Sequence, residues 1–183
     1  MDTERIWELL SNGGLRRSEA RVAAEKQAVL MELRIPKYNG LADPAGAEEL
    51  GRMLAGRARS LGPTAVLLWE DPLDVVLGHI VARELEVKAL RSYNAEGLIE
   101  LIGALAPSSR VLLVTDAFRE ASLLLAMSNL VERHGSTVVG TAVLVETGAL
   151  ASAGPVAGTV VSLVDVGRNG PATGAAANGN GIR

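Results

Sequence analysis

The chain has 183 residues, 48% of them hydrophobic and 21% charged, which is enough for one well-buried domain with a small appendage and too little for two ordinary domains. A net charge of −3 without a basic cluster argues against a general nucleic-acid surface, where phosphates need concentrated Lys and Arg. With no cysteine there can be no disulfide, thiolate metal site or cysteine nucleophile, and with one Phe, two Tyr and two Trp the core must be aliphatic.

Two histidines far apart, His79 and His134, make a histidine-rich metal site unexpected. The charged N-terminus and the lack of an apolar run of membrane-spanning length lead to the expectation of a soluble, cytoplasmic protein.

Taken in order, Asp2 or Thr3 can cap a short helix to about Leu10, with Ile6, Leu9 and Leu10 on one face and Asn12-Gly13-Gly14 as its stop. Residues 18–35 are ambiguous: helix formers dominate, yet Val29, Met31, Leu33 and Ile35 alternate as in a strand. Pro36 and the Tyr38-Asn39-Gly40 turn end that segment. A helix fits 44–59, with Pro44 in its first turn and Leu50, Met53, Leu54 and Ala58 facing inward. An apolar strand follows at 64–69, then Glu70-Asp71-Pro72-Leu73-Asp74 and a helix to about Leu85. The pattern continues with a short strand at 87–91, a helix at 94–105 opened by Asn94, and a turn at Pro107-Ser108-Ser109.

The stretch 110–146 organises the chain. The apolar run 111–114 meets Asp116, a helix follows and closes at Gly135, and a second apolar run spans 138–145. Continuous apolar strands joined by short turns predict a parallel sheet covered on both faces, with a site in the loop 115–122 after the first strand. A last strand is predicted over 154–166. From Gly167 onward Gly, Ala and Asn dominate, and a disordered tail is expected there. Alternating strands and helices give an α/β fold class.

The order of these segments resembles the type I phosphoribosyltransferases, most closely the orotate branch, over roughly residues 3–165. The resemblance rests on the N-terminal helix followed by Gly13-Gly14-Leu15, a segment ending in Glu32-Leu33-Arg34, a helix, and then Val111-Leu-Leu-Val-Thr-Asp116 where the family carries its phosphoribosyl-pyrophosphate (PRPP) motif. It implies a central, mostly parallel sheet flanked by helices, with a small N-terminal hood. The domain division is then 1–40 for the helix and hood, 41–166 for the core and 167–183 for the tail. By resemblance, 18–35 becomes a hood hairpin turning near Glu25-Lys26.

The motif departs from its family. Where the pattern is Asp-Asp-Val-Ile-Thr-Thr-Gly-Gly-Ser/Thr, this chain has Thr115-Asp116-Ala117-Phe118-Arg119-Glu120-Ala121-Ser122-Leu123. In the family the acids hold the ribose hydroxyls and the glycine turn wraps the 5′-phosphate with N–H groups and hydroxyls. Ala121 and Ser122 add Cβ atoms, Leu123 removes a hydroxyl, and Glu120 brings a charge that repels a phosphate by about 1 kcal/mol at about 4 Å in water and by several times that when partly desolvated. Arg119 offsets part of this.

The family's pyrophosphate loop is replaced by Trp69-Glu70-Asp71-Pro72-Leu73-Asp74, with three acids and a proline that lacks an N–H. Of its basic residues only Arg91 is matched, with Ser92 where a lysine is expected. By resemblance, the residues to watch are Thr115, Asp116, Arg119 and Ser122 in the PRPP loop, then Arg91, Trp69 and Asp71; no catalytic residue is assigned.

A plain reading stands beside each. Asp116 caps the next helix or contacts ribose; Glu70, Asp71 and Asp74 form an acidic helix start or hold Mg²⁺. Arg119-Glu120 is a solvated pair, His79 a packed or surface residue, and His134 a helix C-terminal cation. Trp69 is a packing residue or a platform for a planar ligand. The expectation is a phosphoribosyltransferase-fold protein without transferase activity, serving as a binding, regulatory or assembly subunit. The alternatives are a divergent PRPP-dependent transferase and a nucleotide- or PRPP-sensing regulator. No metal or cofactor is expected, Mg²⁺ entering only with PRPP. Among partners, a homodimer and a larger complex are expected, and nucleic acid and membrane are not.

Overall fold

The computed structural model of the chain describes residues 6, 9, 41, 43–117, 121–146, 150 and 158–165. Ile6 and Leu9 are helical and buried, as the sequence predicts, but the hood and the Gly-rich tail lie outside the described residues.

Helix α1 (Pro44–Ala58) starts at Asp43, whose carboxylate accepts from Gly46 N at 2.9 Å, with Pro44 in the first turn where a missing N–H costs nothing. A 3₁₀ turn (Arg59–Leu61) leads into β1 (Ala65–Trp69), then α2 (Pro72–Leu85), β2 (Lys88–Ala95), β3 (Leu98–Ile102), β4 (Arg110–Thr115), α3 (Ala121–Arg133), β5 (Thr137–Glu146) and β6 (Thr159–Asp165). One six-stranded sheet has the order β3-β2-β1-β4-β5-β6. Every pairing is parallel except β2 with β3. The mostly parallel α/β architecture is therefore the one the sequence implies.

The continuous apolar strands are explained by cover on both faces. Val66, Leu112, Val114, Ala142 and Leu144 point into a core closed by α1 and α2. Their alternates Leu67, Val111, Leu113 and Val143 point into a second core under α3, through Leu124, Met127, Leu130 and Val131. Burying one leucine side chain is worth about 1.5–3 kcal/mol, so these two layers supply the main drive for folding. Helix α2 lies unusually close to β1: a Cβ added at Gly78 would stand 2.2 Å from Leu68 Cδ2. A side chain there would have to displace the buried Leu68, so glycine lets α2 pack this closely on β1.

One predicted element is wrong. Residues 94–105 do not form a helix: Lys88–Ala95 and Leu98–Ile102 make a β-hairpin, so the short strand at 87–91 extends to 95. The asparagine read as a helix cap uses the same chemistry in a turn, Asn94 Oδ1 accepting from Gly97 N at 2.7 Å. Glu96 and Gly97 have φ of 52° and 90°, the positive values a tight two-residue hairpin demands. Pairing with β2 and burial of Ile99 and Leu101 against the α3 layer outweigh helical propensity.

Candidate functional site

Strand β1 lies between β2 and β4, so the chain leaves its C-terminal end in one direction and returns on the other side. In open α/β sheets this reversal of strand order opens the crevice where ligands bind. The β1–α2 and β4–α3 loops therefore sit side by side, and the sequence candidates fall on them.

The β1–α2 loop is closed on itself. Glu70 N donates to Ser92 O at 2.8 Å and Asp71 N to Trp69 O at 2.8 Å. Leu73 N donates to Asp71 Oδ1 at 3.0 Å, Asp71 being the N-cap of α2, and Pro72 has no N–H. Each amide from 70 to 73 is thus occupied or missing, and the turn has none to offer an anion. Ser92 turns inward, its hydroxyl donating to Leu68 O at 3.0 Å. Arg91, the matched basic residue, is 3.3 Å from Glu70 Oε1 in an exposed ion pair. Trp69 ends β1, half-buried.

Glu70, Asp71 and Asp74 do not act together: one pairs with Arg91, one caps α2, and Asp74 turns into the protein. Asp74 is buried and accepts from Thr115 Oγ1 at 2.9 and 3.0 Å and from Asp116 N at 2.9 Å. Among the described residues, no three or more His, Cys, Asp or Glu are grouped to hold a metal ion. Burial pushes the Asp74 carboxyl up to about 7, with the Asp116 and Asp71 charges adding to the rise. The Asp116 N–H and the Thr115 hydroxyl, which favour the anion, offset only part of it.

Thr115 and Asp116 are therefore brought together with Asp74 in the interior. Asp116 is buried, its Oδ1 accepts from Ala117 N at 2.6 Å, and its carbonyl accepts from Leu144 and Val145 N–H of β5. Arg119 and Glu120 lie outside the described residues. Ser122 is exposed in the first turn of α3, and Leu123, standing where the family has a hydroxyl, packs against the second core. His79 is exposed on α2; His134 follows the end of α3, its Nδ1 2.8 Å from Leu130 O. The sequence reading missed Asp74 as a link between the loops, because its partners lie 41 and 42 residues away. It also missed Glu146, a buried acid that ends β5 in register with Asp165 of β6; an acid closing an apolar strand was the available signal.

No protein-family model matches the chain, and no curated protein sequence matches it. Solved structures do. An orotate phosphoribosyltransferase from Mycobacterium tuberculosis H37Rv, in complex with inorganic phosphate, aligns with a TM-score of 0.64 at 18% identity over 90% of this chain and 88% of that one. An adenine phosphoribosyltransferase from Rhodothermus marinus aligns with a TM-score of 0.63 at 20% identity, over 79% and 99% respectively. That of Trypanosoma brucei, in complex with AMP, pyrophosphate and ribose-5-phosphate, gives 0.58 at 20% identity over 92% and 90%. With its strand order, two-sided helical cover and reversal of strand order between β1 and β4, the chain has the type I phosphoribosyltransferase fold.

Proposed function

We propose that this protein is a phosphoribosyltransferase-fold protein without transferase activity that acts as a binding, regulatory or assembly subunit. The observation that carries this is the internal closure of the β1–α2 turn, whose amides at 70, 71 and 73 bond within the protein and whose fourth position is Pro72. A pyrophosphate needs several such donors at once, and bringing it beside Glu70 and Asp71 adds like-charge repulsion. The inward packing of Leu123, where the resemblance expects a hydroxyl, supports the same reading for the 5′-phosphate. Calorimetric titration with PRPP and Mg²⁺ tests it: no binding in the micromolar range is expected. Micromolar binding, or conversion of orotate or a purine base, refutes it. The reading includes a cytoplasmic homodimer, and a monomer in sedimentation equilibrium would remove that part.

One observation favours a second reading, a divergent PRPP-dependent transferase. Asp116, buried just after β4 beside Thr115, is the residue that the resemblance matches to a ribose-binding acid. Such an enzyme would need Arg91 released from Glu70 and would bring Mg²⁺ with its substrate. Turnover abolished by Asp116→Asn would establish it; turnover unchanged in that variant would sink it.

A further inference from the structure

The β2–β3 hairpin closes one end of the sheet, and among the described residues no further strand pairs with its outer strand. Its two-residue turn makes Ala95 and Leu98 a hydrogen-bonded pair, and the alternation repeats at Tyr93 with Glu100 and Arg91 with Ile102. The backbone N–H and C=O groups of Ile99 and Leu101 therefore point away from β2. Among the described residues, one bond reaches these outward groups: Arg133 Nη2 donates to Ile99 O at 3.4 Å, a long contact. The opposite edge is held more firmly, since Arg57 of α1 bonds the carbonyls of both Ser162 and Leu163 on β6.

Beside the open edge lies a groove of about 470 Å³. Residues 97–99 form its strand side, and Ala126, Asn129, Glu132 and Arg133, which share a face of α3, form the other. Leu98 on its rim is 65% exposed. An edge strand with outward-pointing donors and acceptors, next to a helix that leaves room for side chains, is the geometry by which a sheet accepts an added strand.

The charges indicate which strand fits. Arg133 has no carboxylate partner among the described residues, its recorded bond being the one to Ile99 O. An incoming strand N–H would take over Ile99 O and release the guanidinium for an acid on the incoming chain. Glu132, beside Arg133, disfavours a second acid along the groove and suits a donor there. Ala126 and Ile99, which faces the α3 side of the sheet, suit an apolar side chain between them.

We propose that this groove binds an extended peptide segment of another protein, added as a strand to β3 with one carboxylate against Arg133. The proposal names a partner class for the binding role above. A failed peptide screen with PRPP binding still absent would remove the groove and leave that role standing.

The test is phage display of random ten-residue segments on the whole protein and on Arg133→Glu, followed by amide NMR of the selected peptides. Enriched sequences are expected to alternate apolar and polar residues around one Asp or Glu and to shift the amides of Ile99 and Leu101. Arg133→Glu, an exposed change, is expected to lower their affinity about tenfold and to enrich Lys or Arg at the acidic position instead. No enrichment, enrichment indifferent to Arg133→Glu, or shifts elsewhere would overturn the proposal. So would concentration-dependent shifts of the same amides without peptide, which would identify a second copy of the chain as the occupant.

Discussion

Replacing Asp74 by Asn isolates the electrostatic cost of the buried link between the two loops. The Asp74 carboxyl is moved from 3.8 to about 7, first by burial and then by the charges of Asp116 and Asp71. Its folded value lies above its unfolded one, so its contribution favours the native state fully below about pH 4 and is lost as pH rises to 7. The gap between 3.8 and about 7 corresponds to about 4 kcal/mol in full, of which about 2–3 kcal/mol falls between pH 5 and pH 8. Asn carries no charge yet keeps the geometry, since its oxygen can accept from Asp116 N and its amide can donate to Thr115 Oγ1. Urea unfolding of both proteins at pH 5 and pH 8, in the same salt, checks this. The native protein is expected to lose about 2–3 kcal/mol between these pH values that Asp74→Asn does not lose, making the variant the more stable one at pH 8. An Asp74→Asn protein less stable than the parent at pH 8, or one with an unchanged pH slope, would show that burial of the Asp74 charge does not cost the fold stability.

Other substitutions probe the surroundings of Asp74 and the ends and packing of α2. Thr115→Val removes a hydroxyl that donates to a buried carboxylate and should cost about 1–3 kcal/mol, read from the urea midpoint; it should also raise the Asp74 titration midpoint in carboxyl NMR. Gly78→Ala should destabilise by about 1–3 kcal/mol despite its gain in helix propensity, because the new methyl meets Leu68; a melting temperature equal to or above the parent's would contradict the close packing of α2 on β1. Glu86 ends α2 with φ of 60°, its N–H capping the helix, so Glu86→Gly should gain up to about 1 kcal/mol in thermal unfolding.

Much of the fold was legible because its signals are local. The apolar runs of β1, β4 and β5, Pro44 and Pro72 just after Asp43 and Asp71, and Gly135 beyond α3 mark elements through sterics and capping that act within a few residues. The hairpin at 88–102 was not legible for a related reason: Asn94 bonds a backbone N–H three residues on whether it opens a helix or a turn, so that signal cannot choose. Contact with β2 and the α3 layer chose, and both lie elsewhere in the chain.

The candidate site divides in the same way. That the β1–α2 turn carries acids and a proline, and that the loop after β4 lacks its glycines, follows from the residues alone, as does the expectation that phosphates are poor guests there. Which acid does what was decided by the tertiary structure. Glu70 meets Arg91 across 21 residues, Asp71 caps its own helix, and Asp74 is buried against Thr115 and Asp116 from the far strand. A carboxylate's charge state and partners depend on the dielectric and donors that packing places around it, and those come from parts of the chain that local sequence cannot see.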